Sequence, residues 1–128
     1  MTIGAYPVAQ SATLPVITIT GVAGAINVGS ATTDLRVMDL EFVGSSSTAD
    51  TSIPVNMANG ASNITALRLN IHGTGKGFSV SSGAVNNALI QENKMLDYWR
   101  SGGSGWFGGI NRGAILGNNV GNVNPSGD

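Results

Sequence analysis

The chain contains no cysteine. Disulfide staples, thiolate zinc sites and a thiol nucleophile are therefore excluded. Charge is also scarce. Asp, Glu, Lys and Arg make up 10% of the 128 residues, against roughly 25% in ordinary globular domains. Solvated helices draw heavily on those residues, so a helical architecture is poorly supplied. Six basic and seven acidic side chains leave a net charge of −1, which gives no electrostatic case for nucleic acid or an anionic membrane as partner. A single histidine, without cysteine, makes a poor supply of transition-metal ligands, and no metal site is read from the sequence. Long apolar runs are missing too. The best stretch, Leu14 to Val28, is broken by Thr18, Thr20, Gly21, Gly24 and Asn27, so no transmembrane segment is expected. The opening Met1-Thr2-Ile3-Gly4-Ala5-Tyr6-Pro7 has no basic region followed by an apolar core, and it does not read as a secretory signal.

In place of charge the chain has 19 glycines and many Asn, Ser and Thr residues, a composition that suits short strands and tight turns. Four segments can be laid over one another: 37–42 (VMDLEF), 66–71 (ALRLNI), 90–95 (IQENKM) and 115–120 (ILGNNV). Their last residues, at 42, 71, 95 and 120, fall 29, 24 and 25 positions apart. Periods between about 20 and 50 residues mark solenoids and related arrays. In each segment the last residue is apolar and the one before it polar, which is strand alternation. A shorter apolar alternation follows each: Ile53 to Met57, then Phe78-Ser79-Val80, then Trp106-Phe107 with Ile110. Upstream, Ile17-Thr18-Ile19 and Ile26-Asn27-Val28 repeat the pair in a degenerate form. Ala88 to Trp99 could be helical in isolation, but it sits inside the repeat.

These spacings predict an all-β chain: a right-handed parallel β-helix of four to five short coils forming one domain over 1–128, with 1–15 as an N-terminal extension. The alternative is a β-sandwich of short antiparallel strands, whose turns also recur every 8–12 residues or so. Two asparagines favour the solenoid. Asn93 and Asn118 hold the inward register that Leu40 and Leu69 hold in the earlier coils. Amides stacked between coils can bond in a ladder, whereas a lone inward amide in a sandwich is costly.

The segments 89–95 and 114–120 resemble the coils of right-handed parallel β-helix proteins, a superfamily of pectate lyase-like enzymes, other polysaccharide lyases and glycosidases, and phage tailspikes. The likeness covers about residues 30 to 124. It implies a polysaccharide or glycan partner, an extracellular or virion-associated setting, and either a homotrimer or a larger parent chain. It also implies a function: binding polysaccharide, with lyase or glycosidase cleavage as its extension. The alternative is a non-catalytic structural or adhesion module.

The register gives two outward columns. One is Asp39, Arg68, Glu92, Gly117; the next is Glu41, Asn70, Lys94, Asn119, with His72 one step beyond. Asp39, Glu41, Arg68 and Glu92 are the candidate catalytic groups. Paired carboxylates serve as acid and base in glycoside hydrolysis. Arg68 or Lys94 would instead abstract a proton beside a uronate carboxylate in a lyase, with calcium on the acidic groups. The plainer expectation is that these columns are complementary ion-pair ladders on a solvated sheet. Asn70, His72 and Lys94 are candidate substrate contacts. So are Asp97, Tyr98, Trp99 and Arg100, on a Gly/Ser-rich loop that holds four of the seven aromatics, since aromatic faces can stack on sugar rings. Gly73-Thr74-Gly75-Lys76-Gly77 lacks the spacing and the following helix of a phosphate-binding loop. Asn63-Ile64-Thr65 matches the N-glycosylation sequon, relevant only to a secreted eukaryotic chain.

Overall fold

The computed structural model describes residues 1–4, 13–21, 23–46, 50–80, 83–96 and 109–121. These contain strands and no helix. In chain order, β1 (Thr2–Gly4), β2 (Val16–Thr18) and β3 (Ala23–Val28) make the first coil; β4 (Thr33–Met38), β5 (Glu41–Val43) and β6 (Ile53–Met57) the second; β7 (Ser62–Leu67), β8 (Asn70–His72) and β9 (Phe78–Val80) the third. Then come β10 (Val85–Gln91) and β11 (Lys94–Leu96), and finally β12 (Ile110–Asn111), β13 (Ala114–Leu116) and β14 (Asn119–Gly121).

Strands from successive coils pair in parallel to form three sheets. Sheet A runs β1-β4-β7-β10, with β12 and β13 sharing the far edge of β10; sheet B runs β2-β5-β8-β11-β14; sheet C is β3-β6-β9. The chain is a parallel β-solenoid of about three turns, fewer than the four to five expected. The shortfall arises because sheet C has only three rungs among the described residues. Ile110, expected in the third short strand, instead pairs with Val85 and opens the next rung of sheet A. Trp106 and Phe107 lie outside the described residues. Pairing between residues 24 to 29 apart is parallel throughout, where a sandwich would pair antiparallel hairpins. The possible helix at 88–99 is instead occupied by β10 and β11 as far as residue 96.

The anticipated register holds: Phe42 pairs with Ile71, Ile71 with Met95, and Met95 with Val120. What read as one strand per repeat is two, joined by a bend. Leu35 and Val37 point inward on β4, and strict alternation would carry residues 39 and 41 inward as well. Instead Leu40 and Phe42 are buried. The phase slips because Asp39 is in the left-handed region, with φ 55°. Arg68, Glu92 and Gly117 repeat the slip at φ 51°, 56° and 60°. One left-handed residue turns the chain from sheet A to sheet B and leaves its own side chain outside.

The core fills the space between the sheets with columns of like residues. Val37, Ala66 and Ile90 come from sheet A, Phe42, Ile71 and Met95 from sheet B, and Val55 and Phe78 from sheet C, all 2% exposed or less. No single coil could bury these faces alone; stacking makes them continuous.

Candidate functional site

The bend between sheets A and B carries the first predicted column. Its backbone stays in phase: Asp39 N–H donates to Leu67 O at 3.1 Å, Arg68 N–H to Gln91 O at 3.1 Å and Glu92 N–H to Leu116 O at 3.0 Å. Asp39, Arg68 and Glu92 therefore sit on successive rungs, about 4.8 Å apart. Arg68 forks onto Asp39, with Nε to Oδ1 and Nη2 to Oδ2 both at 2.7 Å. That bond, more than the nearby charges of Asp39 and Glu92, raises the guanidinium pKa above its already high ordinary value and outweighs desolvation. Arg68 is a fixed cation, unsuited to taking up a proton. Its side chain is 46% exposed, so solvent screening leaves the pair worth no more than about 1 kcal/mol. Glu92 accepts from Gln91 Nε2 at 2.7 Å.

The second column lies on the outer face of sheet B in direct register: Glu41 beside Asn70, Asn70 beside Lys94, Lys94 beside Asn119. Glu41 Oε1 accepts from Asn70 Nδ2 at 3.1 Å and lies 2.8 Å from His72 Nε2. Glu41 and Lys94 do not pair directly. Asn70 occupies the rung between them, so their backbones are about 9.6 Å apart. The expected ladder is an ion pair in the bend and a carboxylate–amide–imidazole cluster on sheet B. Asp97, Tyr98, Trp99 and Arg100 lie outside the described residues.

Behind the bend, Asn93 and Asn118 form the inward amide ladder. Asn118 Oδ1 accepts from Asn93 N–H and Nδ2, both at 2.9 Å, and Asn118 Nδ2 donates to Ile90 O at 2.9 Å. Asn93 Oδ1 accepts from Leu69 N–H at 2.9 Å, while its Nδ2 donates to Ala66 O at 3.1 Å. Asn93 is 1% exposed with every polar atom satisfied, which is how buried amides are tolerated.

Between sheets B and C the chain crosses by loops. Asp50, 4% exposed, gathers the one between β5 and β6. Its Oδ2 accepts from Ser45 N–H at 2.8 Å and Ser45 Oγ at 2.6 Å, and its Oδ1 from Ser52 N–H at 2.7 Å and Gly21 N–H at 3.3 Å. Burial by itself raises the carboxyl pKa, but the bonds from Ser45 and Ser52 overcome it and hold the group well below the usual carboxylate range. The glycine run 73–77 stacks beneath. A Cβ on Gly75 would lie 2.4 Å from Asp50 O, so this glycine serves close packing.

One feature escaped the sequence reading. The outer face of sheet A has a concavity of about 460 Å³ lined by Met1, Thr2, Asp34, Arg36, Asn63, Thr65 and Asn87. Asp34, Asn63 and Asn87 are all left-handed, at φ 57°, 55° and 53°. They stack as a second ladder: Asn63 Nδ2 donates to Asp34 Oδ1 at 2.9 Å, and Asn87 Nδ2 to Asn63 Oδ1 at 3.0 Å. Their spacing of 29 and 24 residues is the repeat itself, and extending the aligned segments upstream would have found them.

Carboxylates could act on a glycosidic bond only by facing it from two sides. Here Asp39 and Glu92 flank Arg68, and neither Asp39 oxygen is left unbonded. No group of three or more His, Cys, Asp or Glu residues converges on a point among the described residues. No family model, curated protein or solved structure matches the chain.

Proposed function

We propose that the chain is a polysaccharide-binding length of β-solenoid, of the pectate lyase-like and tailspike kind that its coils resemble, which holds a glycan without cleaving it. One observation carries this reading. In-register rungs present hydroxyl, amide, carboxylate and guanidinium groups outward at a repeat of about 4.8 Å, beside a polar concavity of about 460 Å³. That volume falls within the rough 300–1,000 Å³ range of ligand sites, and a mainly polar lining suits a polyhydroxylated ligand. Binding is favoured over cleavage because the candidate acid and base groups are already engaged, Asp39 by Arg68 and Glu41 by Asn70 and His72. A calcium-dependent lyase would need acidic groups converging on one cation, and Arg68 stands between Asp39 and Glu92. On this reading the chain works outside a cell or on a virion, within a trimer or a longer parent chain.

The test is affinity electrophoresis in gels containing neutral or acidic polysaccharides, with new reducing ends assayed in parallel. Retardation without product is expected. No retardation by any polysaccharide contradicts the proposal. Product formation that disappears in a folded Asp39→Asn variant would make the bend column catalytic.

A further inference from the structure

We propose that the two ends of the solenoid bind one another, so that a second copy of this chain stacks head to tail on the first. This contact is separate from the outward columns and does not depend on glycan binding. Register carries the correspondence. In sheet A the inward column through Val37, Ala66 and Ile90 begins at Ile3 and ends at Ile115. In sheet B the column through Phe42, Ile71 and Met95 begins at Ile17 and ends at Val120. The middle members of both columns are 2% exposed or less. The end members are not covered to that degree. Val120 is 45% exposed, and Ile3, Ile17 and Ile115 are only partly buried. Each end therefore shows the apolar core in cross-section.

The strand edges correspond as well. Among the described residues, β1 and β2 lie at one end of sheets A and B and β13 and β14 at the other, with no strand beyond them. None of these four strands contains a proline or a charged residue, the usual devices that keep a sheet edge from pairing. The Met1 α-ammonium group donates to Asp34 O at 2.8 Å, toward the second coil, which keeps its charge off the free edge. Through the successive pairs, β1 holds the register of β13 and β2 that of β14. On a second copy, Ile3 therefore comes to rest beside Ile115 and Ile17 beside Val120, and both inward columns continue across the junction. Leu116, 52% exposed, meets Gly4, where no side chain competes for the space. An unrelated strand could cover one edge. A copy of this chain presents two parallel strands already set at the spacing that β13 and β14 require. The contact uses a different surface on each copy, so it propagates as an open stack and does not close on itself.

Crosslinking between copies tests this. Chains carrying Thr2→Cys are mixed with chains carrying Ala114→Cys and oxidised. Within one chain the two positions are four rungs apart, about 19 Å, beyond the reach of a disulfide. Any bridge between them therefore joins two copies. The mixture should give a crosslinked dimer well above the yield of either variant alone, and a chain with both substitutions should give a ladder of multimers on non-reducing gels. In sedimentation velocity, the weight-average mass of wild type should rise past twice the monomer value without a plateau as concentration approaches about 1 mM, enough to reveal millimolar affinity. Val120→Lys puts a charge on the exposed end of the core. It should keep its circular dichroism spectrum and stay monomeric. A mixed crosslink from chains that sediment as monomers supports the same contact, formed weakly. Absence of the mixed crosslink overturns the proposal, and a mass that levels off at a trimer without it would mean side-by-side association. Ala114→Cys crosslinking alone as well as in the mixture would mean tail-to-tail pairing, and multimers that persist in Val120→Lys would place the contact elsewhere. Either result overturns head-to-tail stacking.

Discussion

The two ways the chain leaves a strand of sheet B or sheet A make an instructive contrast. From sheet A to sheet B it takes two residues in each coil after the first: 39–40, 68–69, 92–93 and 117–118. From sheet B to sheet C it takes nine residues, 44–52, in one coil and five, 73–77, in the next. The bend is set by backbone conformation, one left-handed residue per coil, and its outward side chain varies through Asp, Arg, Glu and Gly. The long loop is set by side chains, chiefly the Asp50 carboxylate and the donors gathered on it. Where backbone geometry fixes a turn, the side chain is available for surface chemistry. Where length varies, side chains must supply the fixing. The repeat of 29 residues against 24 follows mainly from this loop.

Breaking the loop should have the largest effect. Asp50→Ala leaves the buried Ser52 N–H and the partly buried N–H groups of Ser45 and Gly21 without their acceptor, and should cost about 2–3 kcal/mol in urea unfolding. The same carboxylate should give acid sensitivity. Its folded pKa lies below the unfolded value of 3.8, so its stabilisation is present above that pH and is lost as pH falls through it toward the folded pKa. Asp50→Asn should flatten the stability profile below pH 3.8; an unchanged acid limb would contradict the assignment.

The inner side of the bend comes next. Asn93→Leu copies the residue that earlier coils hold there, so it should fit. It strands the Leu69 N–H and removes one of the two bonds to Asn118 Oδ1, and should lower stability by about 2 kcal/mol. A neutral result would mean that the ladder is incidental. The outer side should respond least. Glu92→Gly relieves a left-handed strain of about 1–2 kcal/mol against a glycine entropy cost of about 0.5–1 kcal/mol. Thermal denaturation should show a gain within about 1 kcal/mol. A clear loss would mean that the Glu92 side chain stabilises the bend after all.

Much of the fold was legible because stacked coils repeat the same environment. Alternation and period together placed Phe42, Ile71, Met95 and Val120 in one column, and even the degenerate pair at Ile17–Ile19 and Ile26–Val28 marks β2 and β3. The bend was hidden because Asp39, Arg68 and Glu92 adopt a conformation usually signalled by glycine, and only Gly117 gives that signal. Ile110 was misplaced on apolarity alone, although its separation of 25 from Val85 fits the period. Of the candidate site, the columns were readable from register. The bonding within them was not, since which neighbour Arg68 or Glu41 engages depends on rotamers. The concavity was missed because the alignment began three residues after Asp34.

The outward columns stand or fall with the register of sheet B, which crosslinking reads. Asn70 and Lys94 are direct partners on the outer face of sheet B, close enough for a disulfide, whereas Glu41 and Lys94 are two rungs apart, beyond the roughly 7 Å Cα limit. Asn70→Cys with Lys94→Cys should crosslink readily under mild oxidation, while Glu41→Cys with Lys94→Cys should not. Absence of the first crosslink in a folded protein, or ready formation of the second, would contradict the register and every surface assignment built on it.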